Sequence, residues 1–171
     1  MARTGRGGPL DSGGCIYNPY RVTTEDARIA AVADECIANK VRLLNRVVTA
    51  VYDEALRTHG LKISQMSVLI TVAALGGASP SVVGRRLRME KSTLSRNVDR
   101  MRARGWLDAV PASDARTTEL RVTARGVRLL RDVHPAWSRA QKRAAELLGE
   151  QGIRGVTRTV AQLAHRRRSR S

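Results

Sequence analysis

The chain has 171 residues, of which 42% are hydrophobic but only 3% aromatic, with no Phe. That length buries a core without help from disulfides or metals, the core must be aliphatic, and base-stacking platforms for single strands are scarce. Against 15 Asp+Glu stand 31 Lys+Arg, a formal charge of +16, which points to a polyanionic partner, nucleic acid first and an anionic membrane second.

Cys15 and Cys36 are the only cysteines; they make neither a disulfide framework nor a zinc site. The N-terminus is Gly-rich and has no signal-like apolar run. The longest apolar stretch, 68–75, is too short to span a bilayer. A cytoplasmic protein of one domain is expected.

Residues 1–23, with five glycines and two prolines, are expected to form a flexible arm. The folded domain is expected over 24–165. Thr24-Glu25-Asp26 opens a long helix, with acids at the positive end of its dipole. Ile37, Val41, Leu44, Val48, Val51 and Ala55 form its apolar stripe, and Gly60 ends it. So long a helix needs a second surface to cover it, and a partner subunit is the natural one. Ser64 is the expected cap of the next helix, which Gly76-Gly77 stops. Ser79 followed by Pro80 is a strong start signal for a third, ending near Leu87.

The fourth helix is expected over Lys91–Arg104, with Leu94, Val98 and Met101 buried and a polar outer face. Trp106–Val110 and Thr118–Val122 are β-prone, and residues 111–116 join them as a turn. Thr123 caps a fifth helix, in which Pro135 should produce a bend. Gly149–Gly152 breaks the chain, and a last helix covers about 153–165. Residues 166–171 form a basic tail. The fold class is mainly α with a small β-hairpin: two short helices at a tight corner followed by a basic hairpin, the layout of a winged helix-turn-helix.

Four segments, taken together and in order, resemble the MarR family of winged-helix transcriptional regulators. They are Gly60–Leu69 at the entry to the second helix, Lys91–Val98 as recognition helix, Ser113–Arg116 as wing, and Leu120–Gly126 leading into the fifth helix. The resemblance covers about 34–165. Glu90 stands where the family often has Ser or Asp, and a longer carboxylate is a poor cap. Gly84 stands where Ala is usual, and Lys62-Ile63 where Thr-Pro is common. The resemblance implies a homodimer, with dimerisation helices at about 24–59 and 124–165 and a DNA-binding lobe at about 61–123. It implies double-stranded DNA as partner, repression as the usual outcome, and affinity tuned by a small molecule or an oxidant.

In such a molecule the N-terminal residues of the recognition helix lie nearest the base edges. Thr93, Ser95 and Arg96 are the base-reading candidates. Arg96 can address guanine through two hydrogen bonds, worth about 1–3 kcal/mol of discrimination. Lys91, Ser92 and Arg100 would hold phosphates, and Ser79 and Ser81 would add contacts at a helix N-terminus. Arg116 would enter the minor groove, with Asp114 holding the wing's shape. Arg102 and Arg104 stand open between DNA contact and a solvated face.

For sensing, Cys36 lies early on the expected dimer helix, in the general region where peroxide-sensing relatives carry a reactive cysteine, but its register departs from theirs, no tyrosine partner is evident beside it, and a buried inert thiol is the favoured reading. Tyr52, Met66, His134 and Trp137 are candidate lining of an effector pocket, each also readable as plain core. No metal-ligand cluster, nucleophile–base pair or phosphate loop occurs, so no cofactor and no enzymatic activity are expected. Beside a sequence-specific regulator, a sequence-neutral duplex binder held by its basic arms and a thiol-based regulator acting through Cys36 stay open. A membrane-surface role is remote, since no helix pairs a basic face with a large aromatic-apolar one.

Overall fold

A computed structural model describes residues 29, 32, 34–111 and 117–168, the last with side chains to residue 164. These residues fall into two compact units that divide between Leu43 and Leu44.

In the first unit, Ile29, Val32, Asp34 and Glu35 are helical, Cys36 is not, and helix α1 (Ile37–Leu56) begins immediately after it. The backbone nonetheless runs on through this step. The Cys36 N–H donates to the Val32 carbonyl, and the Lys40 N–H to that of Cys36. The expected start at Thr24 lies outside the described residues. Ile37 and Val41 are exposed, at 77% and 57%.

The second unit carries the rest of α1 and everything after it. A single 3-10 turn, Arg57–His59, closes α1, and Gly60 follows in the left-handed conformation (φ 64°). Helix α2 (Ile63–Ala74) starts two residues on. Ser64 is not its cap. Asp53 Oδ1 on α1 accepts the Ile63 N–H at 2.8 Å, and Gln65 Oε1 accepts that of Lys62 at 3.1 Å. A residue already fixed on α1 thus satisfies an orphan donor that a local side chain would otherwise take. Helix α3 (Pro80–Leu87) begins at Pro80 as expected, but the Ser79 hydroxyl pairs with that of Ser81 at 3.0 Å rather than capping the backbone.

Helix α4 (Lys91–Ala103) follows Glu90, whose side chain makes no capping bond. Strands β1 (Leu107–Pro111) and β2 (Thr118–Val122) pair antiparallel, Leu107 opposite Val122 and Pro111 opposite Thr118. Trp106 is not part of the strand. Its N–H closes the end of α4 on the Met101 carbonyl, and its ring is 5% exposed in the core. A bridge between Ala78 and Leu120 adds a third, one-residue rung to the hairpin.

The bent fifth helix proves to be two helices, α5 (Ala124–Asp132) and α6 (His134–Arg168), parted at Val133. Pro135 then falls in the first turn of α6, where its missing N–H costs nothing. The later break is confined to Gly149 (φ 62°, ψ 170°), and the helix resumes at once and continues to Arg168, past the expected boundary at 165.

One aliphatic core gathers Leu56 from α1, Leu69 from α2, Val83 from α3, Met101 from α4, Leu107 and Leu120 from the hairpin, and Val133. All are nearly inaccessible. By contrast the second half of α6 exposes Ile153, Val156, Val160 and Leu163 at 38–60%. No helix among the described residues is long and apolar enough to cross a membrane.

Candidate nucleic-acid interface

Helices α3 and α4 meet at a three-residue corner. Arg88 takes the left-handed conformation there (φ 50°), and the Met89 N–H returns to the Gly84 carbonyl at 3.0 Å. A left-handed residue turns the chain in the least space, so α4 starts directly against α3. Leu94, Val98 and Met101 at i, i+4 and i+7 are buried and fix which side of α4 faces inward. Lys91, Ser92, Ser95, Arg96 and Arg100 are therefore exposed along the opposite side, with Thr93 half-buried at its edge. Asn97 departs from the expectation of a wholly polar outer face. It is 8% exposed, and its Nδ2 donates to the Met89 sulfur at 3.8 Å, so it fastens the corner.

The Arg96 guanidinium lies 3.5 Å from Thr93 Oγ1, too far to be pinned there. Ser79 and Ser81 stand at the start of α3. Together with Lys91 and Ser95 they rim a groove of about 720 Å³, floored by Gly84, Leu94 and Val98 and closed on the hairpin side by Thr118. Serine hydroxyls and a lysine thus rim a groove whose lining is otherwise largely apolar, with Arg96 and Arg100 exposed on the same helix α4. Asp114 and Arg116 lie outside the described residues.

Beneath the hairpin, Thr123 Oγ1 donates to the Gly105 carbonyl at 2.7 Å and accepts the Gly126 N–H at 3.0 Å. The hairpin's outer face carries Glu119, which accepts from Arg121 Nε at 2.8 Å. Arg104, which the sequence left open, donates from Nη1 to the Gly60 carbonyl at 2.9 Å, and its guanidinium lies 5.0 Å from the centre of the Trp106 ring.

Over residues 59–116 the chain matches the model of the MarR family, and this segment holds α2, α3, α4 and β1, including the α3 and α4 sides of the groove just described. Within this segment the chain is similar to the MarR family. Among solved structures it is similar to the transcriptional regulator MOSR of M. tuberculosis in complex with DNA. Identity is 28% over 78% of this chain and 98% of that one, with a TM-score of 0.65. Two further likenesses are of fold alone. A cysteine-to-serine mutant of E. coli MarR with operator DNA shares 16% identity over 74% and 92% of the two chains, at a TM-score of 0.67. Bordetella bronchiseptica BpsR, whose DNA binding 6-hydroxynicotinic acid regulates, shares 16% over 75% and 98%, at 0.66. No curated protein matches the chain significantly.

The four candidate effector residues differ in access. Tyr52 and Trp137 are half-buried, His134 is exposed rather than packed, and Met66 belongs to the core at 5% exposure. The His134 and Trp137 rings lie 5.7 Å apart. The Tyr52 hydroxyl donates to Gln141 Oε1, and burial raises its pKa above the ordinary value of 10.0. Cys36 is half-buried with a free thiol. Among the described residues no group of acids, histidines and cysteines is placed to hold a metal ion.

Proposed function

We propose that this DNA-binding transcriptional regulator acts as a homodimer on a specific operator, as a repressor whose affinity a small molecule sets. The observation that carries the reading is the face of α4. Lys91, Ser92, Ser95, Arg96 and Arg100 are exposed above a buried Leu94–Val98–Met101 stripe, beside a groove rimmed by Ser79 and Ser81. Thr93, Ser95 and Arg96 read bases. Lys91, Ser92, Arg100, Ser79 and Ser81 hold phosphates. Arg116 enters the minor groove from the wing, with Asp114 shaping the turn.

The dimer rests on α1 and α6. Val41, Leu44, Val47, Ile153, Val156, Val160 and Leu163 are all more than a third exposed in the single chain, more apolar surface than a helix keeps toward water. The solved complex of MOSR with DNA supports duplex binding, and the regulation of BpsR by 6-hydroxynicotinic acid supports a small-molecule effector. Of the four effector candidates, Tyr52, His134 and Trp137 have surface to offer such a ligand.

Selection from a random-sequence duplex pool near physiological salt tests the reading. Recovery of a palindrome with half-sites about one helical turn apart is the expected result. Binding without an enriched motif that vanishes as salt rises would replace it with a sequence-neutral binder.

A further inference from the structure

Arg104 is the residue at which the recognition helix ends, and its guanidinium makes two contacts at once. Nη1 donates to the carbonyl of Gly60, the residue that terminates α1, at 2.9 Å. The same group lies over the Trp106 ring at 5.0 Å. Gly60 suits this contact twice over. Its φ of 64° favours glycine, and a Cβ there would stand 2.5 Å from Arg104 Nη1. The backbone beneath is firmly held. The Arg104 N–H returns to the Arg100 carbonyl, and the buried Trp106 donates to that of Met101 at 2.9 Å.

We infer that Arg104 is a positioning residue for DNA binding, one that fixes the angle of α4 against the end of α1 without itself touching DNA. The inference rests on the reading of α4 as the recognition helix. Three observations separate Arg104 from the cations assigned to DNA. Its fork is engaged on a carbonyl within the lobe. It stands roughly 20 Å along α4 from Lys91 and one turn beyond Arg100, which is why Arg100 is the reference in the test. Finally, it joins two elements that the chain separates by 44 residues. A tilt of about 5° at this end of a helix that long carries the other end through roughly 1.7 Å, more than a two-pronged hydrogen bond to a base tolerates. Because the contact is open to water, it contributes little to stability; its effect is on geometry.

The test is the salt dependence of binding to a duplex that the wild-type protein selects from a random pool, measured for Arg104→Ala, Arg104→Lys and Arg104→Gln. Arg100→Ala serves as the reference for a phosphate ligand. A lost phosphate contact flattens the slope of log K against log salt by roughly 0.9. For Arg104→Ala and Arg104→Gln we expect about tenfold weaker binding on lines parallel to the wild type. Arg104→Lys, which keeps a donor for the Gly60 carbonyl and a cation for the Trp106 ring, should recover part of that loss. A slope flattened as in Arg100→Ala would make Arg104 a phosphate ligand and overturn the inference, as would unchanged affinity in all three variants. Should Arg104→Ala not fold, the Lys and Gln variants carry the comparison. If the wild type binds no duplex, it is the functional reading that fails. Hydrogen exchange at the Leu61 and Trp106 amides then decides the tie by itself. Faster exchange in Arg104→Gln or Arg104→Lys upholds the tie, and unchanged exchange overturns it.

Discussion

Asp53 on α1 accepts the backbone N–H of Ile63, the first residue of α2, at 2.8 Å. The cap of one helix is thus held by the helix before it, across a turn of only a few residues. Asp53→Ala leaves that N–H without its acceptor and should cost about 1 kcal/mol, the usual worth of a cap, whereas Asp53→Asn should keep most of it. Urea unfolding of the two variants checks this. Equal midpoints would mean that the bond contributes nothing.

Gly126 packs against the hairpin more closely than any side chain could. A Cβ there would stand 2.2 Å from the Trp106 carbonyl oxygen and 2.7 Å from Val122 Cγ1. Backbone must move to admit even one methyl group, so Gly126→Ala should destabilise by about 3 kcal/mol. A thermal melt unchanged from the wild type would contradict the packing.

The Tyr52 phenol is raised by desolvation above its ordinary pKa of 10.0, and its hydroxyl donates to Gln141 on α6. A folded pKa above the unfolded one means that the protonated form is favoured by folding. That contribution is complete below the unfolded pKa and is lost as pH climbs through the folded pKa. Ultraviolet titration should show a late tyrosine step in the native protein that Tyr52→Phe removes. A late step that persists in Tyr52→Phe, or none in the wild type, would refute it.

Arg96→Ala should weaken operator binding by about 1–3 kcal/mol and relax selection at a single base position. Lys91→Ala should instead weaken all sequences alike and reduce the salt slope by roughly 0.9. Binding assays on the selected site and its single-base variants separate the two. If Arg96→Ala lost affinity uniformly across sequences, it would be reassigned as a phosphate ligand.

The periodic signals were legible in the sequence. The stripe Leu94–Val98–Met101 placed α4 and its exposed face, Pro80 placed the start of α3, and Thr123 was recognised as a cap and is one. What the sequence could not carry was anything decided across long separations. Ser64 had the right chemistry for a cap, but Asp53 was already within reach. Pro135 looked like a bend within one helix; the helix instead breaks two residues earlier, at Val133, which keeps a right-handed helical backbone and has no Gly or polar run to mark it. Arg104 and Arg102 looked alike, and only the folded corner brings the Gly60 carbonyl to one of them. His134 at helical spacing from Trp137 suggested packing, yet it opens α6 on the solvent side of a first turn whose buried member is Ala136.

Two hydrogen bonds join Ala78 to Leu120, one in each direction, at 3.1 and 2.9 Å. They weld the segment leading into α3 to the strand that returns from the wing. On the proposed reading, the angle between α4 and the hairpin is thereby fixed within each protomer, and an effector acting on a dimer would change chiefly the separation of two rigid heads. Regulation of this kind behaves like a calliper, in which the jaws keep their shape and only the gap between them changes.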